Sequence, residues 1–213
     1  MADPKDLRVE YRKGELDERH ISPDPIVQFA RWFDEAIAAQ VSEPNAMTLA
    51  TASAAGIPSA RTLLLKGFDA RGFVFYTNYN SRKGKELEAN PRAAMVFFWE
   101  PLERQARIEG SIEKVTRAES QVYFDARPRS ARIGAWASRQ SGEIASRNDL
   151  ELREKELQAR FGDGEIPLPD FWGGYRLIPS LMEFWQGRPS RLHDRLVYRQ
   201  QKNGSWQIRR LEP

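Results

Sequence analysis

Between Ala46 and Asn78 three strand-length runs follow one another with almost nothing between them, and this spacing limits the fold more than any other feature of the chain. Ala46 to Ser53 leads through a turn at Gly56 into Ser59 to Phe68, and Asp69 to Gly72 turns the chain again into Phe73 to Asn78. Short glycine-bearing turns between strand-forming runs specify antiparallel hairpins. Downstream, Ala93 to Trp99 is a strongly apolar strand, and Glu103 to Val115 reads as a long one with Gly110 as a bulge or bend. Closing strands are expected at Tyr175 to Ile178, Leu181 to Gln186 and Arg191 to Arg199, before Asn203-Gly204 turns the chain into Trp206 to Leu211. Many short antiparallel strands with a few helices between them predict a mainly β fold, a closed or nearly closed β-barrel with helical additions.

The helices announce themselves by their caps. Asp24-Pro25 supplies an N-cap and a proline at the first helical position, and Ile26, Phe29, Ala30, Phe33 and Ile37 follow at helical spacing to about Gln40. Asn80 or Ser81 caps a short helix to about Ala89, which Asn90-Pro91 ends. Thr116 with Glu119 forms a capping box for a helix through Ala126, stopped before Pro128. Asn148 to Phe161 is a charged helix with Leu150, Leu152 and Leu157 available for burial, and Pro167 to Pro169 make a rigid connector. Residues 1–22 are polar and aperiodic, and are expected to form a flexible N-terminal arm on a single domain spanning 23–213.

Composition narrows the chemistry. The formal charge of +3 is too small to indicate a nucleic-acid binder by itself. The absence of cysteine excludes disulfides, thiolate metal sites and cysteine nucleophiles, and two histidines argue against a transition-metal centre. No apolar window approaches the roughly 18 residues a membrane span needs, and the first residues lack the apolar run of a secretory signal. A soluble, cytoplasmic protein is expected.

Several segments carry more charge than packing requires. Glu183 to Gly187 (Glu-Phe-Trp-Gln-Gly) precedes Arg191 to Arg195 (Arg-Leu-His-Asp-Arg). In the strand expected there, Arg191, His193 and Arg195 share a face and Asp194 takes the other. Such groups repel each other unless something anionic sits between them, although a solvated strand face also fits. Arg61 to Lys66 (Arg-Thr-Leu-Leu-Leu-Lys) reads either as a buried strand with solvated ends or as a strand lying along a planar ligand with its cations on anionic groups. Ser81 to Lys85 opens a helix, where free N–H groups and the dipole favour phosphate. Arg82, Lys83 and Lys85 are each disfavoured there by a few tenths of about 1 kcal/mol unless a dianion binds, so a phosphate site and a plain helix start both remain open. Tyr123, Arg127 and Arg129 fall at the end of a helix and just past it, where cations suit the dipole. There is no phosphate-binding Walker loop, dinucleotide glycine fingerprint or nucleophile elbow. Cationic anchors without acid–base or nucleophilic machinery suggest chemistry done by a bound cofactor.

Taken in order, these segments resemble the pyridoxamine 5′-phosphate oxidase family. The match runs through Arg61 to Lys66, Phe75 to Asn78, Ser81 to Lys83, Leu102 to Gln105, Arg127 to Arg129, Ile133 to Trp136, Gln140-Ser141, Pro167 to Gly174, Glu183 to Gly187 and Arg191 to Arg195. The resemblance implies an FMN-binding split β-barrel acting as a homodimer, with FMN at the subunit interface. It assigns the flavin to Arg61, Thr62, Leu63, Leu64, Leu65, Lys66, Tyr76, Thr77, Arg82, Lys83, Gln105, Gln140, Ser141, Trp185 and Arg195. It implies that Lys66, Tyr123 and Arg127 grip a substrate phosphate, that Arg191 and His193 cover the substrate ring as the catalytic pair, and that Arg8 and Tyr11 fold over the occupied site. The implied reaction oxidises pyridoxamine or pyridoxine 5′-phosphate to pyridoxal 5′-phosphate with dioxygen, releasing hydrogen peroxide, and ammonia from the amine. In one departure, Ala131 stands where the family usually has a serine that contacts the substrate phosphate. A lost neutral hydrogen bond costs about 0.5–1.5 kcal/mol. A split-barrel flavin oxidase of secondary metabolism and a non-catalytic FMN or pyridoxal phosphate carrier remain as alternatives.

Overall fold

The computed structural model describes residues 3, 7 and 10–213. Among the described residues nine strands form one antiparallel sheet: β1 (Ala46–Ala52), β2 (Pro58–Leu64), β3 (Gly67–Asp69), β4 (Gly72–Asn78), β5 (Arg92–Trp99), β6 (Arg104–Lys114), β7 (Trp172–Gln186), β8 (Asp194–Gln200) and β9 (Trp206–Leu211). Five α-helices among the same residues accompany it: α1 (Pro25–Ala38), α2 (Arg82–Ala89), α3 (Arg117–Asp125), α4 (Arg129–Ala137) and α5 (Arg147–Phe161). The main path of the sheet runs β2-β1-β5-β6-β7-β4-β3, with β8 and β9 added beside β7.

The expected single strand from Ser59 to Phe68 is two strands, and the break closes the sheet. The N–H of Leu65 bonds to Asn45 O beside β1, whereas the N–H of Lys66 bonds to Val74 O in β4. The chain therefore changes sheet neighbours between adjacent residues. Because β2 and β3 are the two ends of the path yet only Leu65 and Lys66 separate them, those ends must lie together. The sheet is curled into a split barrel.

Two expected strands, Tyr175 to Ile178 and Leu181 to Gln186, are instead the two halves of β7. Pro179 reads as a breaker because it has no N–H to give a ladder. Here it lies opposite Gly110 at the register shift between Glu109 and Gly110. The bulge absorbs the proline, and the Gly110 backbone presses so closely on the Ile178 carbonyl that no Cβ fits. The first half of β7 pairs with β4 and the second with β8, while β6 runs along both.

Two further expectations change. Arg191 and His193 are not in a strand: Pro189–Arg191 form a 3-10 turn in which Ser190 and Arg191 take left-handed φ values of 58° and 63°, and β8 begins only at Asp194. Strand alternation therefore cannot place Arg191, His193 and Arg195 on one face. Arg129 does not trail a helix but opens α4, where its guanidinium donates to Gly164 O at 2.8 Å and also to Gly162 O, at the C-cap of α5.

Helix α1 plugs the barrel. Phe29 is fully buried, with ring centroids of Phe68, Phe73 and Phe97 at 5.0, 4.9 and 5.0 Å. Trp99 bonds through Nε1 to Pro44 O at 2.9 Å. A second apolar cluster gathers Phe124, Ile133, Ala135, Ile166, Leu168 and Trp172. Leu157 of α5 packs on it and Leu150 is half-buried, but Leu152 is exposed. No helix among the described residues is long and apolar enough to cross a membrane.

Phe29→Ala removes the ring at the centre of this packing and is expected to lower stability by about 3–5 kcal/mol, measured by denaturant unfolding.

Candidate functional site

The tight link from β4 to α2 builds the first group of site residues. Ser81 caps α2 by accepting Gly84 N–H at 3.3 Å and donates its hydroxyl proton to Asn78 O at 2.7 Å. The Tyr79 carbonyl fills the space a Cβ on Gly84 would need. That fold draws Lys83 inward until it is only 6% exposed. Its Nζ donates to Gln140 Oε1 at 2.9 Å and Thr77 Oγ1 at 3.2 Å, and Thr77 Oγ1 donates to Gln140 Oε1 at 2.8 Å. Among the described residues no carboxylate lies within ion-pair distance of Lys83. Burial first, and repulsion from Arg61 second, pull its pKa down to about 8.

Its neighbours are in the opposite condition. The Glu86 carboxylate accepts from Thr51 Oγ1 at 2.5 Å, Ser59 Oγ at 2.6 Å and Arg82 Nε at 2.9 Å, with Arg61 Nη2 at 3.4 Å. Burial pushes Glu86 up, but these donors outweigh it and hold its pKa at about 2. Arg61 and Arg82 are thus partly neutralised, and Lys83 is not.

The run from Arg61 to Lys66 divides by strand parity. Leu65 is core and Leu63 packs against it, so neither side chain is free to line a cleft. Thr62 pairs with Thr48 and Leu64 with Ala46 on the other side of the sheet, and Lys66 is exposed on a separate cavity of about 620 Å³.

Lys66 shares that cavity with Tyr76 and Tyr123, whose rings stack at 4.0 Å and 14°. Trp172 continues the stack at 5.6 Å from Tyr76. The Arg127 guanidinium lies 4.7 Å over Trp172, with Nη1 buried and, among the described residues, without a hydrogen-bond partner. Burial lowers the Arg127 pKa. Arg127, Ala131, Asn78, Gln140 and Trp172 line a cavity of about 240 Å³. A larger one of about 720 Å³ is lined by Asn78, Asn80, Arg82, Gln140 and Ser141. Asn78 and Gln140 border both. The structure thus gathers Thr77, Arg82, Lys83, Gln140, Ser141 and Arg127, whereas Lys66 lines a different cavity from Arg127.

The remaining expected residues lie at the other end of β7. Laterally paired residues in a sheet share a face, and Phe98, Gln105, Trp185 and Arg195 form one such row across β5 to β8. The neighbouring row, Phe97, Ala106, Phe184 and Leu196, is core, so the first row faces away from it. Arg195 Nε donates to the buried carboxylate of Glu183 at 2.8 Å. Trp185 meets His193 at 4.6 Å and Tyr11 at 5.6 Å. Tyr11, Arg191 and His193 line a cavity of about 740 Å³ with Glu10 and Arg188. His193 Nδ1 accepts Arg188 N–H at 3.1 Å, which leaves the proton of a neutral ring on Nε2. Burial and then Arg191 lower its pKa. Arg8 lies outside the described residues.

Sequence reasoning missed Glu86, Asn78 and Phe98. Only Glu86 carried a signal, four residues after Arg82 on one helix face. Phe98, 50% exposed beside Gln105, is visible only through strand register.

A pyridoxamine 5′-phosphate oxidase family model matches residues 33–161, and a pyridoxine 5′-phosphate oxidase C-terminal dimerisation region model matches 172–213. The pyridoxine/pyridoxamine 5′-phosphate oxidase of Cupriavidus necator is 58% identical over 213 residues, all of both chains. That of Bordetella petrii is 60% identical over 208 residues, 98% of each chain. Among solved structures, PhzG from Burkholderia lata in complex with tetrahydrophenazine-1-carboxylic acid superposes with a TM-score of 0.87 at 34% identity, covering 93% of this chain and 98% of that one.

Lys83→Met removes a buried ammonium that has only neutral partners. Its depressed pKa means the charged form is penalised most below pH about 8, and the penalty fades as pH rises toward 10.5. After allowance for lost hydrogen bonds, the variant without ligand is expected to be more stable than wild type by roughly 1–3 kcal/mol at pH 7. Thermal or urea unfolding at pH 7 and pH 10 should show that gain shrinking at the higher pH.

Proposed function

The chain belongs to the pyridoxamine 5′-phosphate oxidase family, and we propose that it oxidises pyridoxamine 5′-phosphate or pyridoxine 5′-phosphate to pyridoxal 5′-phosphate, using FMN and dioxygen. Hydrogen peroxide is released, and for the amine one water supplies the aldehyde oxygen as ammonia leaves. The observation that carries this reading is that, among the described residues, buried Lys83 and half-buried Arg127 have no anionic partner and lie beside cavities that share Asn78 and Gln140; Arg132 also has an unpartnered Nε but lines neither cavity. Two such groups fit two phosphates. Tetrahydrophenazine-1-carboxylic acid, the ligand of PhzG, has a carboxylate and no phosphate.

The donor set suits FMN. Lys83 and Arg82 would hold its phosphate at the start of α2, with Ser141, Gln140 and Thr77 as neutral partners. Trp185, Gln105 and Arg195 offer an apolar ring and two polar groups in one row. When bound, FMN supplies the hydride acceptor. The chain's task is then placement: Arg127 and Tyr123 anchor the substrate phosphate, with Lys66, on the cavity that Tyr123 also lines, as a further cation for it. Arg191 supplies positive charge over the substrate ring. His193, its pKa lowered and its Nδ1 engaged by the Arg188 N–H, presents a neutral ring with the proton at Nε2. Holding the reacting carbon in place for the acceptor can supply several kcal/mol of the barrier. Ala131 stands in the Arg127 cavity without a hydroxyl, so phosphate affinity there rests on Arg127.

These residues form two half-sites on one chain. Trp172 borders the Lys83–Arg127 end and Trp185 the Arg191–His193 end, thirteen residues apart along β7. At about 3.3 Å per residue that is roughly 43 Å of strand. A homodimer in which the Trp185 end of one subunit covers the Lys83 end of the other joins them, with FMN at the subunit interface. The match of residues 172–213 to a dimerisation region supports this arrangement, as does the non-core row carrying exposed Phe98. In this reading residues 1–22 are an arm, 23–213 are one domain, and the enzyme works in the cytoplasm.

The purified protein should be yellow, or become so on adding FMN, and should release peroxide on addition of pyridoxine 5′-phosphate. Arg191→Ala and His193→Ala are each expected to lower kcat/KM by about 10- to 100-fold through lost placement, while FMN affinity stays within about threefold. A protein that remains colourless in excess FMN, or variants that both stay within about twofold of wild type, would contradict the reading.

A further inference from the structure

Glu103 joins two segments that meet nowhere in the sequence. It follows the 3-10 turn Glu100–Leu102, is 5% exposed, and takes a left-handed backbone with φ 54°. Its Oε2 accepts the backbone N–H of Arg12 at 2.7 Å and of Lys13 at 2.8 Å. Its carbonyl accepts the N–H of Gly187 at 2.7 Å and Nε2 of Gln186 at 3.2 Å. One residue therefore fastens the N-terminal arm to the end of β7, just where the turn carrying Arg191 and His193 departs.

The fastening sets the position of Tyr11. A Cβ added to Gly187 would lie 2.6 Å from Tyr11 Cγ, so Tyr11 sits directly on the Gly187 backbone. From there its ring reaches Trp185 at 5.6 Å and His193 at 5.9 Å. Glu103 does not line the cavity that Tyr11, Arg191 and His193 enclose, and can act on it only through the residues it holds. A second tether, Arg210 to Glu18 and to Leu16 O, lies further along the arm and is 40% exposed at the arginine. Lys13 Nζ also donates to Pro101 O at 2.9 Å, Arg188 Nη1 to Gly14 O at 3.3 Å, and Leu16 N–H to Asp194 Oδ2 at 3.1 Å, but Glu103 alone among these takes the two backbone N–H groups that directly follow Tyr11.

We infer that Glu103 is a positioning residue for the proposed reaction: by binding Arg12 and Lys13 through its carboxylate and Gly187 through its carbonyl, it keeps Tyr11 packed against Trp185 and His193. What that cavity receives rests on the function proposed above; the anchoring itself does not.

The side chains of Arg12 and Lys13 are exposed, so trypsin reads the anchor directly. In FMN-loaded protein, Glu103→Ala is expected to speed cleavage after Arg12 and Lys13 by at least about tenfold, because local opening no longer breaks two buried bonds. KM for pyridoxine 5′-phosphate should rise about tenfold, with kcat and FMN affinity within about threefold of wild type. Glu103→Gln keeps an acceptor oxygen and should recover most of both effects. Cleavage within about twofold of wild type overturns the anchor. Parallel loss of FMN affinity, kcat and melting temperature without rescue by glutamine would mark Glu103 as a structural residue only and overturn the positioning role. Wild-type protein that binds FMN but leaves pyridoxine 5′-phosphate unoxidised overturns the substrate reading instead, and trypsin still decides the anchor.

Discussion

Strand β7 is the constraint on which the rest depends. Its fifteen residues run beside β6 throughout, while its other edge is shared between β4 and β8. That sharing holds Trp172 among the residues around Arg127 and holds Trp185 among those around His193. A strand is stiff along its length, so the two groups cannot drift together within one chain. The bulge opposite Gly110 is what permits the length, since it gives Pro179 a place where no ladder bond is needed.

Electrostatics then separates cations that serve the fold from cations that await something. Arg61 and Arg82 share Glu86, Arg195 and Arg107 share Glu183, and Arg129 is occupied by two carbonyls at the end of α5. Among the described residues Lys83 has only neutral oxygens, and Arg127 has no carboxylate and one nitrogen without a hydrogen-bond partner. Burying such groups without anions costs several times what an exposed ion pair returns. Their retention is best understood through ligands that carry the missing charge.

The sequence made the strands, the caps and the order of the motifs legible because those features are local. Ser81, Thr116 and the Asp24-Pro25 pair announce helix starts through hydrogen bonds that span three residues, and all three are used. What was not legible depends on distant partners. Pro179 looks like a break until Gly110 is placed opposite it, and the change of neighbour at Leu65 and Lys66 requires knowing where β1 and β4 lie. Helix α4 escaped notice because Arg127-Pro128 reads as a stop, although Pro128 in fact serves as its N-cap. The same limit governs the site. His193 lies against Trp185, while Arg191 sits in a left-handed turn, and neither is on a strand face. The two ends of β7 could not be told apart from spacing alone.

The most direct measurement mixes two impaired proteins. Lys83→Met impairs one half-site and Arg191→Ala the other, so subunit exchange between them should yield mixed dimers in which one of two sites carries neither substitution. Peroxide release with pyridoxine 5′-phosphate should then rise toward about one quarter of the wild-type value, as random pairing of a twofold-symmetric dimer requires. If exchange is verified by mass and activity stays at the level of the separate variants, the two half-sites act within one chain, and the arrangement described here is wrong.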